Sequence, residues 1–283
     1  MPAAPDLAVV VPVKGGPLAK SRLGAGRALR RDLADAFARD TVAAARAGLP
    51  DALVVVVSAD PAVRAWAEAA GCTTVTDEGA GLDAAVAAGV GVAARAGARF
   101  VCVLLGDHPA LRPAELAEVV PALRAAAPAM VPDADGTGTA MLVAPLGPGA
   151  AVPTRFGAGS AGAHRALGYA WVEPDAPGVR IDVDDASSLA AAIAVGLGAH
   201  TRRALGRATL PGVQATIHRE PGESPGSALL DDGVEVQVPL DSVVLSGLLH
   251  LRAGQRVSVE LDESGLVATR VWIVGIGPGE TIR

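Results

Sequence analysis

Aromatic side chains are scarce in this sequence, and their scarcity argues against one class of function. Phe, Trp and Tyr together make up 2% of the 283 residues. Proteins that hold single-stranded nucleic acid stack its bases on aromatic rings and neutralise its phosphates with an excess of Lys and Arg. The formal net charge of −6 at pH 7 provides no such excess. We therefore expect neither nucleic acid nor an anionic membrane surface as a partner, although a local cationic pocket stays open.

Long apolar runs and cysteines are also few. No segment approaches the roughly 18 uncharged apolar residues of a membrane span, and the N-terminus has no basic region before a signal-length apolar segment. Cys72 and Cys102 lie in apolar surroundings without metal-ligand spacing, which predicts two buried free thiols. These features predict a soluble protein of the reducing cytoplasm.

Strand and helix patterns alternate from residue 6 to about residue 200. Apolar runs predict strands at 7–13, 52–58 and 99–107, and helical patterns fall at 30–47, 61–70, 81–97 and 113–126. Continuous apolar strands separated by helices predict a parallel sheet in an α/β layer architecture. After residue 127 we expect a more irregular, mixed half, closed at 179–198 by a strand, an acidic turn and a helix.

Beyond residue 212 the apolar period changes to two. The strand candidates of this region are 213–219, 226–232, 234–240, 255–262 and 266–276. Five short strands in so small a segment predict an OB-like barrel. We therefore expect an α/β domain at 1–205, and a linker with a small all-β barrel at 206–283.

A cluster of cations follows the first predicted strand, in "VKGGPLAKSRL" (13–23). Ligands of open α/β sheets bind beyond the carboxyl ends of the strands, where glycine N–H groups and Lys or Arg side chains can hold anions. Lys14, Gly15, Lys20 and Arg22 are thus predicted to bind a nucleotide polyphosphate, with Lys20 also a catalytic candidate. The spacing fits neither the P-loop nor the dinucleotide-binding pattern. The alternative is a solvated loop.

Acidic residues follow two other predicted strands. Asp107 comes directly after an apolar run, and in "RIDVDD" (180–185) an extended chain places Asp182 and Asp184 on one face, about 6–7 Å apart. Carboxylates, phosphate oxygens and water are the ligands of Mg²⁺, so these three residues are predicted metal ligands, with Asp107 also a catalytic candidate. The alternatives are a helix cap at Asp184 or Asp185 and a plain turn at Asp107.

Six motifs occur in an order that resembles a known family: "VPVKGGPLAKSRL", "GLDAA", "GDHPAL", "GTGTA", "RFGAGSAGAHR" and "IDVDD". Over about residues 6–205 the sequence is similar to the guanylyltransferases of coenzyme F(420) biosynthesis. The resemblance implies a nucleotide-diphospho-sugar transferase-like (GT-A) α/β/α sandwich. It also implies Mg-dependent transfer of GMP from GTP to phosphoenolpyruvate, giving enolpyruvyl-2-diphospho-5′-guanosine and pyrophosphate. The same reaction on 2-phospho-L-lactate or 3-phosphoglycerate is the alternative.

The resemblance also implies roles for individual residues. It matches Asp107, Asp182 and Asp184 to the Mg²⁺ carboxylates, and Lys14, Lys20 and Arg22 to the loop that grips the nucleotide phosphates. It matches Thr139, Gly157 and Ser160 to the positions that hold the phospho-acid. Two hydroxyls and a backbone N–H would supply the donors that a dianion needs.

Three further positions carry specific expectations. Asp83 replaces an amide of the family's "GLN" near the nucleotide, where a carboxylate could accept the guanine N–H groups. His108 stands where the family often carries an aliphatic residue, and we expect an exposed turn residue with no role. His164 would face the substrate phosphate if its segment is helical.

The C-terminal segment 212–261 resembles a cold-shock domain, most clearly in "LRAGQRVSVEL". Cold-shock domains stack bases on aromatics of their second and third strands, and those strands carry none here. Trp272 is the sole aromatic residue between Gly212 and Arg283. We therefore expect a role in homo-oligomerisation or domain packing.

Two other functions compete with the leading one. A molybdopterin guanylyltransferase-like enzyme would carry "LAGG-x-S-x-R-x-G-x-D-K" in its first loop, which this sequence lacks. A non-catalytic nucleotide sensor with an RNA-binding barrel would bind substrate without releasing pyrophosphate. The three aspartates argue against the sensor, because a sensor does not need a complete metal site.

Overall fold

The computed structural model describes residues 4–14, 27–147, 152–206, 213–262 and 264–273, without the side chains of 27–29. The chain forms two compact units. The first comprises Met1–Gly16 and Ala34–Asp182, and the second Pro17–Leu33 and Val183–Arg283. The sequence-based boundary at residue 205 stays a prediction. Among the described residues, no helix is both long and apolar enough to cross a membrane.

A seven-stranded mixed sheet forms the centre of the first unit. Its strands are β1 (Leu7–Pro12), β2 (Leu53–Val57), β3 (Thr73–Val75), β4 (Phe100–Leu104), β5 (Ala129–Pro132), β6 (Thr139–Pro145) and β7 (Ala170–Trp171), in the order β3-β2-β1-β4-β6-β5-β7. Strands β3, β2, β1 and β4 run parallel, whereas β6 is antiparallel to β4 and β5. The three predicted strands and the mixed half are confirmed, and β3 was not predicted because three residues show no periodicity.

Along the chain up to residue 182, the helices come between these strands, except for the last helix, which follows β7. They are α1 (Arg27–Gly48), α2 (Pro61–Ala69), α3 (Leu82–Arg95), α4 (Pro113–Ala125), α5 (Ser160–Ala166) and α6 (Pro177–Arg180). The four predicted helices correspond to α1–α4. Local signals explain their starts: Asp60, for example, caps α2 by accepting the N–H of Ala62, and Pro61 follows at the first helical position.

Alternate residues of each central strand pack against opposite helical layers. Val9 and Val11 of β1 lie in the core that includes α1, α2 and α4, whereas Ala8 and Val10 lie in the core that includes α3. A Cβ on Gly89 of α3 would overlap the Val10 side chain, so glycine permits the close approach of this helix to the sheet. The predicted α/β/α sandwich is confirmed.

The carboxyl ends of β1 and β4 lie side by side. Both strands are parallel neighbours, and the chain passes from β1 to β2 on one side of the sheet before it reaches β4 on the other. Such a reversal of strand order opens a crevice beyond the strand ends, which is where α/β proteins bind ligands. Lys14 follows β1 and Asp107 follows β4, so both residues lie at this edge.

The segment 179–184 was predicted to contain a strand, and this prediction is wrong. Residues 177–180 form the short helix α6, and 181–183 join no sheet. The N–H of Gly178 bonds Glu115 Oε1 at 3.0 Å, and the carbonyl of Arg180 accepts the N–H of Ala134 at 2.9 Å. The backbone groups of this segment therefore bond a side chain and a loop in place of a neighbouring strand.

After residue 182, the described part of the second unit contains three helices and a five-stranded antiparallel sheet. Its elements after residue 182 are α7 (Ala186–Val195), α8 (Ala199–Gly206), β8 (Val213–Arg219), β9 (Gly226–Leu230), β10 (Glu235–Val238), α9 (Leu240–Leu245), β11 (Arg256–Leu261) and β12 (Ala268–Ile273). The strand order is β10-β9-β8-β11-β12, and one parallel bridge from Gln237 to Val267 links β10 to the turn before β12.

All five predicted strands of the second unit are confirmed within the described residues, and positions 274–276 of the last one lie outside them. Together they form a half-barrel around a core of small and branched apolar residues that includes Ile217, Val243 and Val259. Helix α9 was not predicted, and α8 ends at Gly206, the first residue of the predicted linker. The assignment to the OB fold stays a prediction.

Candidate active site

Three aspartates from distant parts of the sequence come together at the sheet edge. Asp107, Asp182 and Asp184 each offer a carboxylate oxygen, and these oxygens lie within 4.8 Å of one another. We call these residues the carboxylate cluster. Asp107 and Asp182 are half-buried, and Asp184 is exposed. Three like charges at this distance repel, so the arrangement favours a bound cation.

A buried histidine joins the two half-buried members of the cluster. His108 has no exposed surface, its backbone N–H donates to Thr41 Oγ1 at 3.1 Å, and its Nδ1 lies 3.2 Å from the carbonyl oxygen of Ile181. Since Asp107 precedes His108 and Asp182 follows Ile181, this contact ties together the segments that carry both carboxylates. The prediction of an exposed turn residue is wrong, because the ring turns inward to reach the Ile181 carbonyl.

The segment before Asp182 is also held by the loop that contains Asp133. The guanidinium of Arg180 donates to the carbonyl of Asp133 at 3.0 Å, and the Asp133 carboxylate accepts the N–H groups of Thr137 and Gly138 at 2.9 and 2.6 Å. One aspartate therefore organises the loop before Thr139 and contacts the segment before Asp182.

Asp184 and the adjacent Asp185 have different structural roles. Asp185 caps α7, because its Oδ1 accepts the N–H of Ser188 at 2.9 Å. This hydrogen bond lowers the pKa of Asp185. The capping alternative raised for Asp184 or Asp185 thus applies to Asp185, and Asp184 contributes its side chain to the carboxylate cluster.

A second group of polar residues lies in the interior of the first unit. Thr139 begins β6, Ser160 begins α5, and both are buried. His164 of α5 is fully buried, with Nδ1 2.8 Å from Thr139 Oγ1 and Nε2 accepting the N–H of Arg155 at 3.0 Å. We call Thr139, His164 and the loop residues Arg155 and Phe156 the His164 cluster. The condition that the segment of His164 be helical is met.

Burial and ring packing define the surroundings of His164. The rings of Phe156 and Tyr169 meet the imidazole edge-on, with centroids 4.8 and 5.5 Å away. Burial lowers the pKa of His164, against smaller opposing effects of the Asp83 carboxylate and the Ser160 carbonyl. Burial also raises the pKa of Tyr169 to about 12. The imidazole of His164 and the phenol of Tyr169 are therefore neutral near pH 7.

The loop that carries Arg155 and Phe156 is held at three points. Besides the bond to His164, Asp83 Oδ1 accepts the N–H of Phe156 at 3.0 Å, and the Tyr169 hydroxyl donates to the carbonyl of Pro153 at 3.1 Å. Asp83, the nucleotide-binding candidate, thus anchors the loop. No sequence signal predicted the bond, because its partners are 73 residues apart.

The remaining candidates are distributed as follows. Gly157 has φ of +130°, in a region that favours glycine, and its carbonyl accepts the N–H of Ser160 at 3.1 Å. Lys14 is exposed. Gly15, Lys20 and Arg22 lie outside the described residues, so the phosphate-binding role of their loop stays a prediction.

Comparison with known proteins assigns the family. Residues 20–175 match the "MobA-like NTP transferase domain". The phosphoenolpyruvate guanylyltransferase of Salinispora arenicola is 46% identical over 208 residues, covering 71% of this chain and 94% of that protein. The chain belongs to the phosphoenolpyruvate guanylyltransferase family. The enzyme of that name from Streptomyces coelicolor is 44% identical, covering 72% of this chain and 98% of its own.

Membership of this family makes the chain a nucleotidyltransferase, as predicted. The fold agrees: the crystal structure of a "putative nucleotide-diphospho-sugar transferase" from Desulfovibrio desulfuricans G20 matches with a TM-score of 0.50 and 18% identity. That match covers 70% of this chain and 90% of the other. The matches to the two phosphoenolpyruvate guanylyltransferases cover 94% and 98% of those proteins. More than a quarter of this chain lies outside the matched region.

Proposed function

We propose that this chain transfers the guanylyl group of GTP to phosphoenolpyruvate, forming enolpyruvyl-2-diphospho-5′-guanosine and pyrophosphate. The observation that carries the proposal is the carboxylate cluster at the carboxyl edge of the sheet, in a chain 46% identical to a phosphoenolpyruvate guanylyltransferase. By the same family resemblance we propose a place in coenzyme F(420) biosynthesis. Two buried free cysteines agree with the reducing cytoplasm as the proposed location.

The proposed reaction needs orientation and charge neutralisation more than proton transfer. A phosphate oxygen of phosphoenolpyruvate attacks the α-phosphorus of GTP, and the bond from that phosphorus to the oxygen bridging the β-phosphate breaks. Pyrophosphate leaves with the electron pair, and a phosphoanhydride forms. The attacking oxygen is already anionic near pH 7, so the principal barrier is the approach of two anions.

The donor set of the carboxylate cluster fits Mg²⁺. Hard divalent cations take carboxylate, phosphate and water oxygens, and Asp107, Asp182 and Asp184 offer three carboxylate oxygens within 4.8 Å of one another. We propose that these residues hold the ion, which when bound neutralises phosphate charge. Lys14 at the same edge, with the predicted Gly15, Lys20 and Arg22, would add positive charge and N–H donors around the nucleotide.

The His164 cluster supports the second substrate site. We propose that the hydroxyls of Thr139 and Ser160 and the backbone N–H of Gly157 bind the phospho-acid. The Asp133 turn brings Thr139 and Ser160 into one region, because Thr137 within that turn accepts the N–H of Ala161 at 3.1 Å. Donors held by a rigid scaffold bind an anion without further ordering cost.

The experiment is a matrix of pyrophosphate-release assays. GTP, ATP, CTP and UTP are each paired with phosphoenolpyruvate, 2-phospho-L-lactate and 3-phosphoglycerate in the presence of Mg²⁺. We expect GTP with phosphoenolpyruvate to exceed every other pair, with mass spectrometry identifying the product. A higher rate with 2-phospho-L-lactate would move the assignment to that substrate. Absence of pyrophosphate release from all pairs would contradict the proposed reaction.

For the C-terminal sheet we propose self-association and no binding of nucleic acid. Strands β9 and β10 carry no aromatic residue, and Leu249 and Leu266 are 72% and 52% exposed in the described structure. Light scattering of the full chain should give a mass above that of one chain. Filter binding with short single-stranded RNA at low salt should show no micromolar complex, and such a complex would contradict the proposal.

A further inference from the structure

The two ring nitrogens of His164 have partners that together select one protonation state. A neutral imidazole has one N–H donor and one acceptor nitrogen. The backbone N–H of Arg155 can only donate, so Nε2, 3.0 Å away, must carry the lone pair. The ring proton is therefore on Nδ1. Complete burial of the ring disfavours the charged form, which would place a proton against the Arg155 N–H.

This tautomer determines how the Thr139 hydroxyl is used. With the proton on Nδ1, His164 donates to Thr139 Oγ1 across 2.8 Å. A hydroxyl has a single proton and otherwise rotates to suit its neighbours. Since Oγ1 accepts from His164, its own proton points away from the imidazole. The hydroxyl thereby becomes a donor for a third group.

We propose that His164 is a positioning residue that directs the Thr139 hydroxyl proton toward the phospho-acid substrate. The inference rests on the proposed function, because it takes Thr139 as a substrate ligand. Arg155 fixes the tautomer of His164, and His164 fixes the direction of the Thr139 O–H. An anionic substrate would then meet a hydroxyl that is already a donor, without the cost of reorienting it.

The surroundings of the ring support this role. Phe156 and Tyr169 pack edge-on against the imidazole, so a ring flip that exchanged Nδ1 and Nε2 would have to disturb both. The bonds from Phe156 to Asp83 and from Tyr169 to Pro153 hold the loop that presents the Arg155 N–H. Packing and hydrogen bonding thus favour the same ring orientation.

A double-mutant cycle in the full-length enzyme tests the coupling. His164→Leu removes the donor to Thr139, and we expect the KM for phosphoenolpyruvate to rise by about 10-fold, the scale of one lost hydrogen bond, with the KM for GTP nearly unchanged. His164→Asn keeps an amide donor near the Nδ1 position and should restore most of the loss. In the Thr139→Val background, His164→Leu should add nothing further. Independent, multiplying effects of the two substitutions would overturn the proposal.

A second measurement needs no turnover. In protein labelled with ¹⁵N-histidine, the ring nitrogen shifts of His164 should report a neutral ring protonated at Nδ1 at pH 7, assigned by its absence from His164→Asn. A proton on Nε2, or a charged ring, would overturn the inference even if His164→Leu failed to fold. If His164 shows the expected tautomer but the enzyme is inactive with phosphoenolpyruvate, the hydrogen-bond arrangement is supported and the proposed function is contradicted.

Discussion

The carboxylate cluster and the His164 cluster are built on opposite physical principles. The carboxylate cluster gathers three like charges at a half-exposed edge, where their mutual interaction is repulsive. The centre of the His164 cluster, formed by His164 and Thr139, is buried and uncharged, and both nitrogens of the imidazole have hydrogen-bond partners. The first arrangement is improved by a ligand of opposite charge, whereas in the second both ring nitrogens have their partners before any ligand arrives. Substitutions should therefore separate function from stability differently in the two clusters.

The largest effect is expected for Asp182→Asn in the carboxylate cluster. Removing one charge should lower turnover about 100-fold or more, the scale seen when a group that stabilises transition-state charge is lost. The melting temperature should stay unchanged or rise slightly, because a repulsive interaction is relieved. Pyrophosphate release and thermal unfolding measure the two effects.

Asp175→Asn is the matched control for this experiment. Asp175 is an exposed carboxylate seven residues earlier in the same part of the chain, and it is not a member of the cluster. Its substitution should leave turnover within twofold of wild type. Equal turnover of Asp182→Asn and Asp175→Asn would remove Asp182 from the candidate site.

Gly178→Ala tests whether backbone packing positions the carboxylate cluster. A Cβ at residue 178 would lie 2.5 Å from the Ala110 carbonyl oxygen and would overlap the Glu115 carboxylate. We expect a loss of about 1–3 kcal/mol in the free energy of unfolding from this overpacking, measured by urea titration. Weaker Mg²⁺ binding in calorimetry should accompany it, because the segment before Asp182 must shift.

Gly162→Ala provides the corresponding substitution beside the His164 cluster. Gly162 lies in α5, and apart from its chain neighbours and the helix's own backbone no described atom would lie within 4 Å of an added Cβ. Alanine should therefore stabilise the helix by up to about 1 kcal/mol. A destabilisation as large as that of Gly178→Ala would show that the effect at residue 178 does not come from overlap.

The carboxylate cluster is easier to predict from the sequence than the His164 cluster. Asp107 directly follows an apolar strand, and that position alone places a side chain at the ligand-binding edge of an α/β sheet. Thr139 and His164 are 25 residues apart, and nothing local in either segment specifies their hydrogen bond. Pairings between distant side chains depend on the tertiary fold, which periodicity does not encode.

Two predictions from the sequence are wrong for the same reason, which is that tertiary contacts determine the local structure. The apolar and acidic alternation at 179–184 predicted a strand, but Gly178 and Arg180 bond Glu115 and Ala134 and hold the chain away from the sheet. His108 sits in a turn sequence, which predicted exposure, but its backbone and ring bond Thr41 and Ile181. In both places a long-range partner overrode the local preference.

Ser160→Ala tests whether the preformed donors of the interior bind substrate. Losing a hydroxyl that bonds an anion should raise the KM for phosphoenolpyruvate by about 10-fold, with a smaller change in turnover number. Ser160 is 3% exposed, so the melting temperature of the variant must be measured alongside. Ser187→Ala, an exposed hydroxyl near the start of α7, is the control. An unchanged KM would remove Ser160 from the substrate site.

The smallest loss of stability is expected for Asp185→Ala, and comparison with Asp184→Ala separates two adjacent carboxylates by function. Asp185→Ala removes the cap of α7 and should cost about 1 kcal/mol in the free energy of unfolding at pH 7. Asp184→Ala should lower turnover without that cost, because Asp184 belongs to the carboxylate cluster. The N–H of Ser188 lowers the pKa of Asp185 in the folded chain, below the ordinary value of 3.8.

The stability that Asp185 contributes should follow pH with a definite sign. Because its pKa is lower in the folded chain than in the unfolded chain, the contribution is complete above pH 3.8 and is lost as the pH falls through the lower, folded value. The difference in stability between wild type and Asp185→Ala should therefore be constant near neutrality and shrink in acid. Asp185→Asn caps the helix without titrating, so its stability relative to Asp185→Ala should not change with pH. A difference between wild type and Asp185→Ala that grows in acid would contradict the capping role, since only a carboxyl with a raised pKa stabilises the fold more as it is protonated.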